Sequence, residues 1–80
     1  MQRESTITLS KAASGQQVKL ISIEAGRGLT HRLAELGLTP GVELSVVQAD
    51  RSGPILVLVR GSRIALGRGM AHKLIIKPLG

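Results

Sequence analysis

A chain of 80 residues makes one domain, 1–80, which buries only about 60 to 65% of its extended surface, so the core is thin and the stability modest. It has no cysteine, which removes disulfides and thiolate metal sites, and no phenylalanine, tyrosine or tryptophan, which removes the aromatic platforms on which single-stranded nucleic acid stacks. The net charge of +6 arises entirely after Asp50: five basic and five acidic residues cancel up to that point, and Arg51, Arg60, Arg63, Arg68, Lys73 and Lys77 follow without an acid.

The first residues, Met1 to Thr6, are polar and lead into no long apolar run. Residues 1–7 are therefore expected to be a loose tail, with no signal peptide, no membrane span and a cytoplasmic setting. Ser10 is placed to cap a single turn over Lys11-Ala12-Ala13 that Gly15 ends. Gln17 to Glu24 reads as a strand whose parity slips: Val18 and Leu20 share one face, Ile21 and Ile23 the other. Such a slip implies a bulge, the device by which small barrels bend and close.

Next comes the segment around which the chain is organised. Leu29, Leu33 and Leu36 fall at i, i+4 and i+7, the apolar face of an amphipathic helix over about 28–36. Gly37 is suited to the left-handed exit, and Pro40-Gly41 to the centre of a type II turn that launches a strand at Val42. A helix this short is unstable alone, so it is expected to lie as a lid on a sheet.

Val42, Leu44 and Val46, followed by Val47 and Ala49, repeat the parity slip. Asp50-Arg51-Ser52-Gly53-Pro54 is turn chemistry, and Ile55 to Val59 is apolar on both faces, so the helix or a partner is expected to cover its second face. Arg60-Gly61-Ser62-Arg63 predicts a tight reversal, Ile64-Ala65-Leu66 a short strand, Gly67 to His72 a helical turn, and Leu74-Ile75-Ile76 a last strand before Pro78 ends pairing. About five short strands with one amphipathic helix and one or two helical turns indicate a small, mainly β barrel.

No chemistry of bond breaking is legible. The serines sit in no Gly-x-Ser-x-Gly elbow, and Gly26-x-Gly28 and Gly67-x-Gly69 lack the third glycine of a dinucleotide fingerprint. Gly26-Arg27-Gly28 and Gly67-Arg68-Gly69 echo one another, and we read that echo as coincidence between two strand-to-helix turns. His31 and Glu35 share a helix face and are the candidate ligands of a weak transition-metal site, with His72, Asp50 and Met70 the other donors. On an exposed helix the same pair also forms an ordinary i,i+4 contact. No cofactor is required.

The ordered set Arg32-Leu33-Ala34-Glu35-Leu36-Gly37-Leu38-Thr39-Pro40-Gly41, with Leu9, Gly15, Gly53-Pro54 and Arg60 to Leu66, resembles the FeoA family over Thr8 to Lys77. The family comprises small cytoplasmic accessory proteins of bacterial ferrous-iron uptake. The resemblance implies an SH3-like barrel, no catalysis, and association with FeoB, the membrane iron transporter with a cytoplasmic GTP-binding domain. Iron- and manganese-dependent repressors carry the same fold behind DNA-binding and dimerisation domains; the stand-alone form is expected here, with self-association left open. Exposed apolar area and basic charge select Leu29, Leu33, Leu38, Arg60 and Arg63 as the partner contact, with Leu33 also read as core. The alternatives are a nucleic-acid-binding barrel using the basic C-terminal half, which the lack of aromatics opposes, and an accessory domain of a metal-dependent repressor.

Overall fold

Short apolar strands separated by turn residues assemble into one antiparallel sheet. The computed structural model describes residues 5–50 and 52–79. The six strands are β1 (Ile7–Thr8), β2 (Gln17–Ile23), β3 (Glu43–Ala49), β4 (Ile55–Val59), β5 (Ser62–Leu66) and β6 (Leu74–Pro78), ordered β1-β6-β2-β3-β4-β5. Helix α1 spans Arg27–Glu35 and the short α2 Arg68–Ala71, with a 3-10 turn at Leu9–Lys11. Ile7, expected in the tail, pairs instead with Ile76. The rest of that tail up to Glu4, and Arg51 of the expected turn, lie outside the described residues.

Both parity slips are bulges. The β2–β6 register shifts between Leu20 and Ser22, and the β3–β4 register between Val46 and Gln48. In β3 the extra residue returns Ala49 to the core side but leaves Val47 40% exposed. The sheet curls at these points, so Val18, Leu20, Val46, Ile55, Val57 and Ile76 converge on one aliphatic core at 0–1% exposure. Pro78 does not end pairing, as expected, but lies opposite Val18. Leu79 N–H donates to Gln17 O at 2.8 Å, so Gln17 and Leu79 form the bonded pair next to it. Pro78 then occupies a non-bonded position, its nitrogen facing away from β2, where the two-residue β1 does not reach.

The helix enters the core chiefly through its exit. Leu33 is 1% exposed and Leu29 half-buried, but Leu36, expected on the same face, is 49% exposed. The chain leaves helical geometry there: Gly37 adopts φ +93°, its N–H bonds Ala34 O at 2.9 Å, and Leu38 N–H bonds Leu33 O at 2.9 Å. These are the two hydrogen bonds of a Schellman exit, which turns Leu38 inward to 0% exposure in the place periodicity gave to Leu36. Val42 N–H then bonds Thr39 O at 3.0 Å across Pro40-Gly41, with Gly41 at φ +97°, the expected type II turn. Gly41 N–H to Leu20 O at 2.7 Å and Leu20 N–H to Val42 O at 2.8 Å tie that turn to β2.

Ser10 does not cap a helical turn. It lies inside the 3-10 turn, 8% exposed, with Oγ 2.7 Å from Thr8 Oγ1 and 2.8 Å from His72 Nδ1. Arg68 joins the same region from α2, donating from Nη1 to Ser10 O at 2.6 Å and from Nε to Gly53 O at 3.2 Å. One guanidinium thus ties together three segments that have no sheet pairing between them.

Three variants test these assignments by thermal unfolding, where about 1 kcal/mol corresponds to roughly 4 to 8 °C in a domain of this size. Leu38→Ala is expected to cost about 2 to 5 kcal/mol as a core truncation. Gly37→Ala should cost about 1 to 2 kcal/mol through its left-handed backbone, and Arg68→Ala about 1 to 3 kcal/mol through lost charge-assisted hydrogen bonds. A Leu38→Ala protein as stable as wild type would contradict the buried exit.

Candidate docking surface

The most unusual backbone outside the helix exit is at the β4–β5 turn. Val59 pairs with Ser62, leaving a two-residue loop in which Arg60 has φ +53° and Gly61 φ +80°. Positive φ at both positions defines a type I′ turn, whose twist matches the flanking strands. Glycine suits that geometry, whereas arginine there costs about 1 to 2 kcal/mol relative to an ordinary conformation.

The Arg60 side chain reaches back across the helix exit. Its Cδ lies 3.3 Å from the position a Cβ on Gly37 would occupy. Gly37 therefore serves two needs, the left-handed φ and the close approach of the arginine stem. The contact sets the Arg60 stem against the residue that follows Leu36, and on the hairpin Arg63 lies directly across from Leu58, 37% exposed. Leu36, Val47 and Leu58 are the exposed large hydrophobics among the described residues, and Leu58 pairs with Arg63, one of the four exposed arginines there.

Of the residues expected to meet a partner, Arg60 and Arg63 are exposed and close together, whereas Leu33 and Leu38 are fully buried and Leu29 is half-buried against the core. The leucines act as the anchor of the surface; Leu36 and Leu58 supply the apolar area sequence reasoning had assigned to them. Leu58 was hinted at by the two-sided apolarity of β4, and the second face of that strand is indeed not closed over. Leu36 was hidden because periodicity placed it inside.

His31 Nε2 lies 3.4 Å from Glu35 Oε2, with side chains 77% and 65% exposed, an i,i+4 contact on the solvent face. Among the described residues no group of three or more His, Cys, Asp or Glu is placed to hold a metal, so this pair offers two donors without a third. His72 is engaged with Ser10, its Nδ1 2.8 Å from the Ser10 hydroxyl. A shallow groove of about 430 Å³, lined by Ala25, Arg27, Thr30, His31 and Ala34, opens beside α1.

Ser10 and His72 form a contact that sequence separation concealed. The buried Ser10 hydroxyl is shared between Thr8 and His72, while Arg68 donates to the Ser10 backbone carbonyl. The glycine-arginine echo has a structural basis, since Gly26 and Gly67 are both extended N-caps and Arg27 and Arg68 both first helical residues. Their roles differ, Arg68 bonding two carbonyls and Arg27 lining the groove. No helix among the described residues is long and apolar enough to cross a membrane.

Comparison with known proteins agrees with this architecture. The model of the FeoA domain matches residues 7–78. A Methanocaldococcus jannaschii protein provisionally named Fe(2+) transport protein A is 36% identical over 69 residues, covering 86% of this chain and 83% of the relative. The crystal structure of an iron uptake regulatory protein, FeoA, superposes with a TM-score of 0.88 at 31% identity, covering 94% of this chain and all of that one. A manganese-dependent transcriptional repressor shares the fold, with a TM-score of 0.86 at 18% identity over 45% of its own length. From residue 7 to residue 78, by family model, sequence and fold together, the chain belongs to the FeoA domain family.

Proposed function

We propose that the protein is a non-enzymatic, cytoplasmic accessory of ferrous-iron uptake that docks on the cytoplasmic part of the FeoB transporter to support or regulate transport. The family membership and the Fe(2+) transport name of the Methanocaldococcus jannaschii relative support the pathway. The docking role is supported by one observation above the others: the strained Arg60 lays its stem over Gly37 at an exposed hairpin tip, where Arg63 lies across from the exposed Leu58. Apolar area rimmed by arginine is the composition of a protein contact. The absence of aromatic residues weighs against nucleic acid as the partner of the same charges.

Capture of solubilised FeoB from bacterial membranes by the immobilised protein tests the proposal. Wild type is expected to retain the transporter, and Arg60→Glu combined with Arg63→Glu to reduce recovery roughly tenfold or more, since reversed charges at an interface repel as well as release. Both residues are exposed, so unfolding temperatures should match within a few degrees. Equal recovery by wild type and variant would contradict a basic contact.

A further inference from the structure

The two edges of the sheet differ. β1 is two residues long, whereas β5 has five residues in unbroken register with β4, without the bulge seen in β2 and β3 and without proline. Natural sheets rarely leave such an edge unguarded, because each unpaired N–H and C=O is a template for another strand. Which groups of β5 point outward follows from the turn. In a two-residue hairpin the closing pair, here Val59 and Ser62, exchanges hydrogen bonds, and bonded pairs then alternate. Ser62, Ile64 and Leu66 therefore face β4 with their backbone groups, and Arg63 and Ala65 present theirs to the free edge. Both residues are exposed.

We infer that the β5 edge receives an extended, acidic segment of a partner protein, which joins the sheet beside β5 through the backbone groups of Arg63 and Ala65. This rests on the docking role proposed above and specifies its mode. A row of alternating backbone donors and acceptors is matched only by another extended chain. The charge of that chain follows from Arg60 and Arg63 at this end of the sheet and from the lack of any acidic residue after Asp50. A second copy of this protein fits poorly, because joining two β5 edges brings the Arg60 and Arg63 side chains of two chains, each of net charge +6, onto one seam.

Amide exchange of the isotope-labelled full chain, measured by NMR with a short capped peptide that alternates valine with glutamate, tests this without the transporter, so that its failure is separate from a failure to capture FeoB. Addition of the peptide to about 10 mM, roughly tenfold above a dissociation constant of about 1 mM, is expected to slow exchange at Arg63 and Ala65 by roughly tenfold. A peptide with lysine in place of glutamate should not do so. Ala65→Pro removes an outward N–H while sparing the bonds to β4, and should abolish the effect; Arg63→Glu should reverse the preference toward the lysine peptide. The inference is overturned if the two outward amides stay unprotected, if both peptides protect them equally in wild type, if Ala65→Pro binds undiminished, or if protection rises with protein concentration alone, which would assign the edge to a second copy.

Discussion

The structure depends on how a nine-residue helix with one fully buried side chain is held to the sheet. Its own apolar stripe is too short to hold it, with Leu33 fully buried and Leu29 only half so. The exit completes the attachment. Because Gly37 enters the left-handed region, Leu38 turns under the helix and buries completely, its N–H bonded to the carbonyl of Leu33. The Pro40-Gly41 turn then hands the chain directly to β2 through two backbone hydrogen bonds. Hydrophobic burial and backbone satisfaction are thus achieved by the same few residues, which matters in a domain with little core to spare.

The same exit organises the surface. Gly37 has no side chain, and the vacant space is where the Arg60 stem lies. The hairpin tip and the helix end thereby lie against one another. The segment around Ser10 is secured differently. There Arg68, first residue of a helix too short to be stable by itself, ties Ser10 and Gly53 together while Ser10 meets His72. Two arginines in similar sequence settings, Arg27 and Arg68, differ because only one finds carbonyls within reach.

What the sequence revealed, and what it withheld, divides along the range of the interactions. The bulges, the Gly37 exit and the Pro40-Gly41 turn were legible because each is written in neighbouring residues whose backbone preferences are strong. Leu36 was misplaced because a periodic stripe assumes that the helix continues, and it stops one residue too soon for Leu36 to face inward. The Ser10, His72 and Arg68 cluster joins positions 58 and 62 residues apart, and nothing local announces such a meeting. Arg60 was expected within a tight reversal, but its positive φ was not, since arginine has no preference for that conformation. The FeoA resemblance fixed the fold more firmly than any of these signals; the core reading of Leu33 came from its spacing, whereas the burial of Leu38, chosen for contact, was not foreseen.

Native-state hydrogen exchange of the Leu38 amide tests most directly whether the helix exit anchors the fold. If it does, that amide opens only with the β2 and β3 core and exchanges as slowly as the slowest amides of those strands. If it exchanges as fast as the amides of the exposed Asp50 and Ser52 while the sheet stays protected, the exit is not an anchor, and the seat of Arg60 against Gly37 is not held in place.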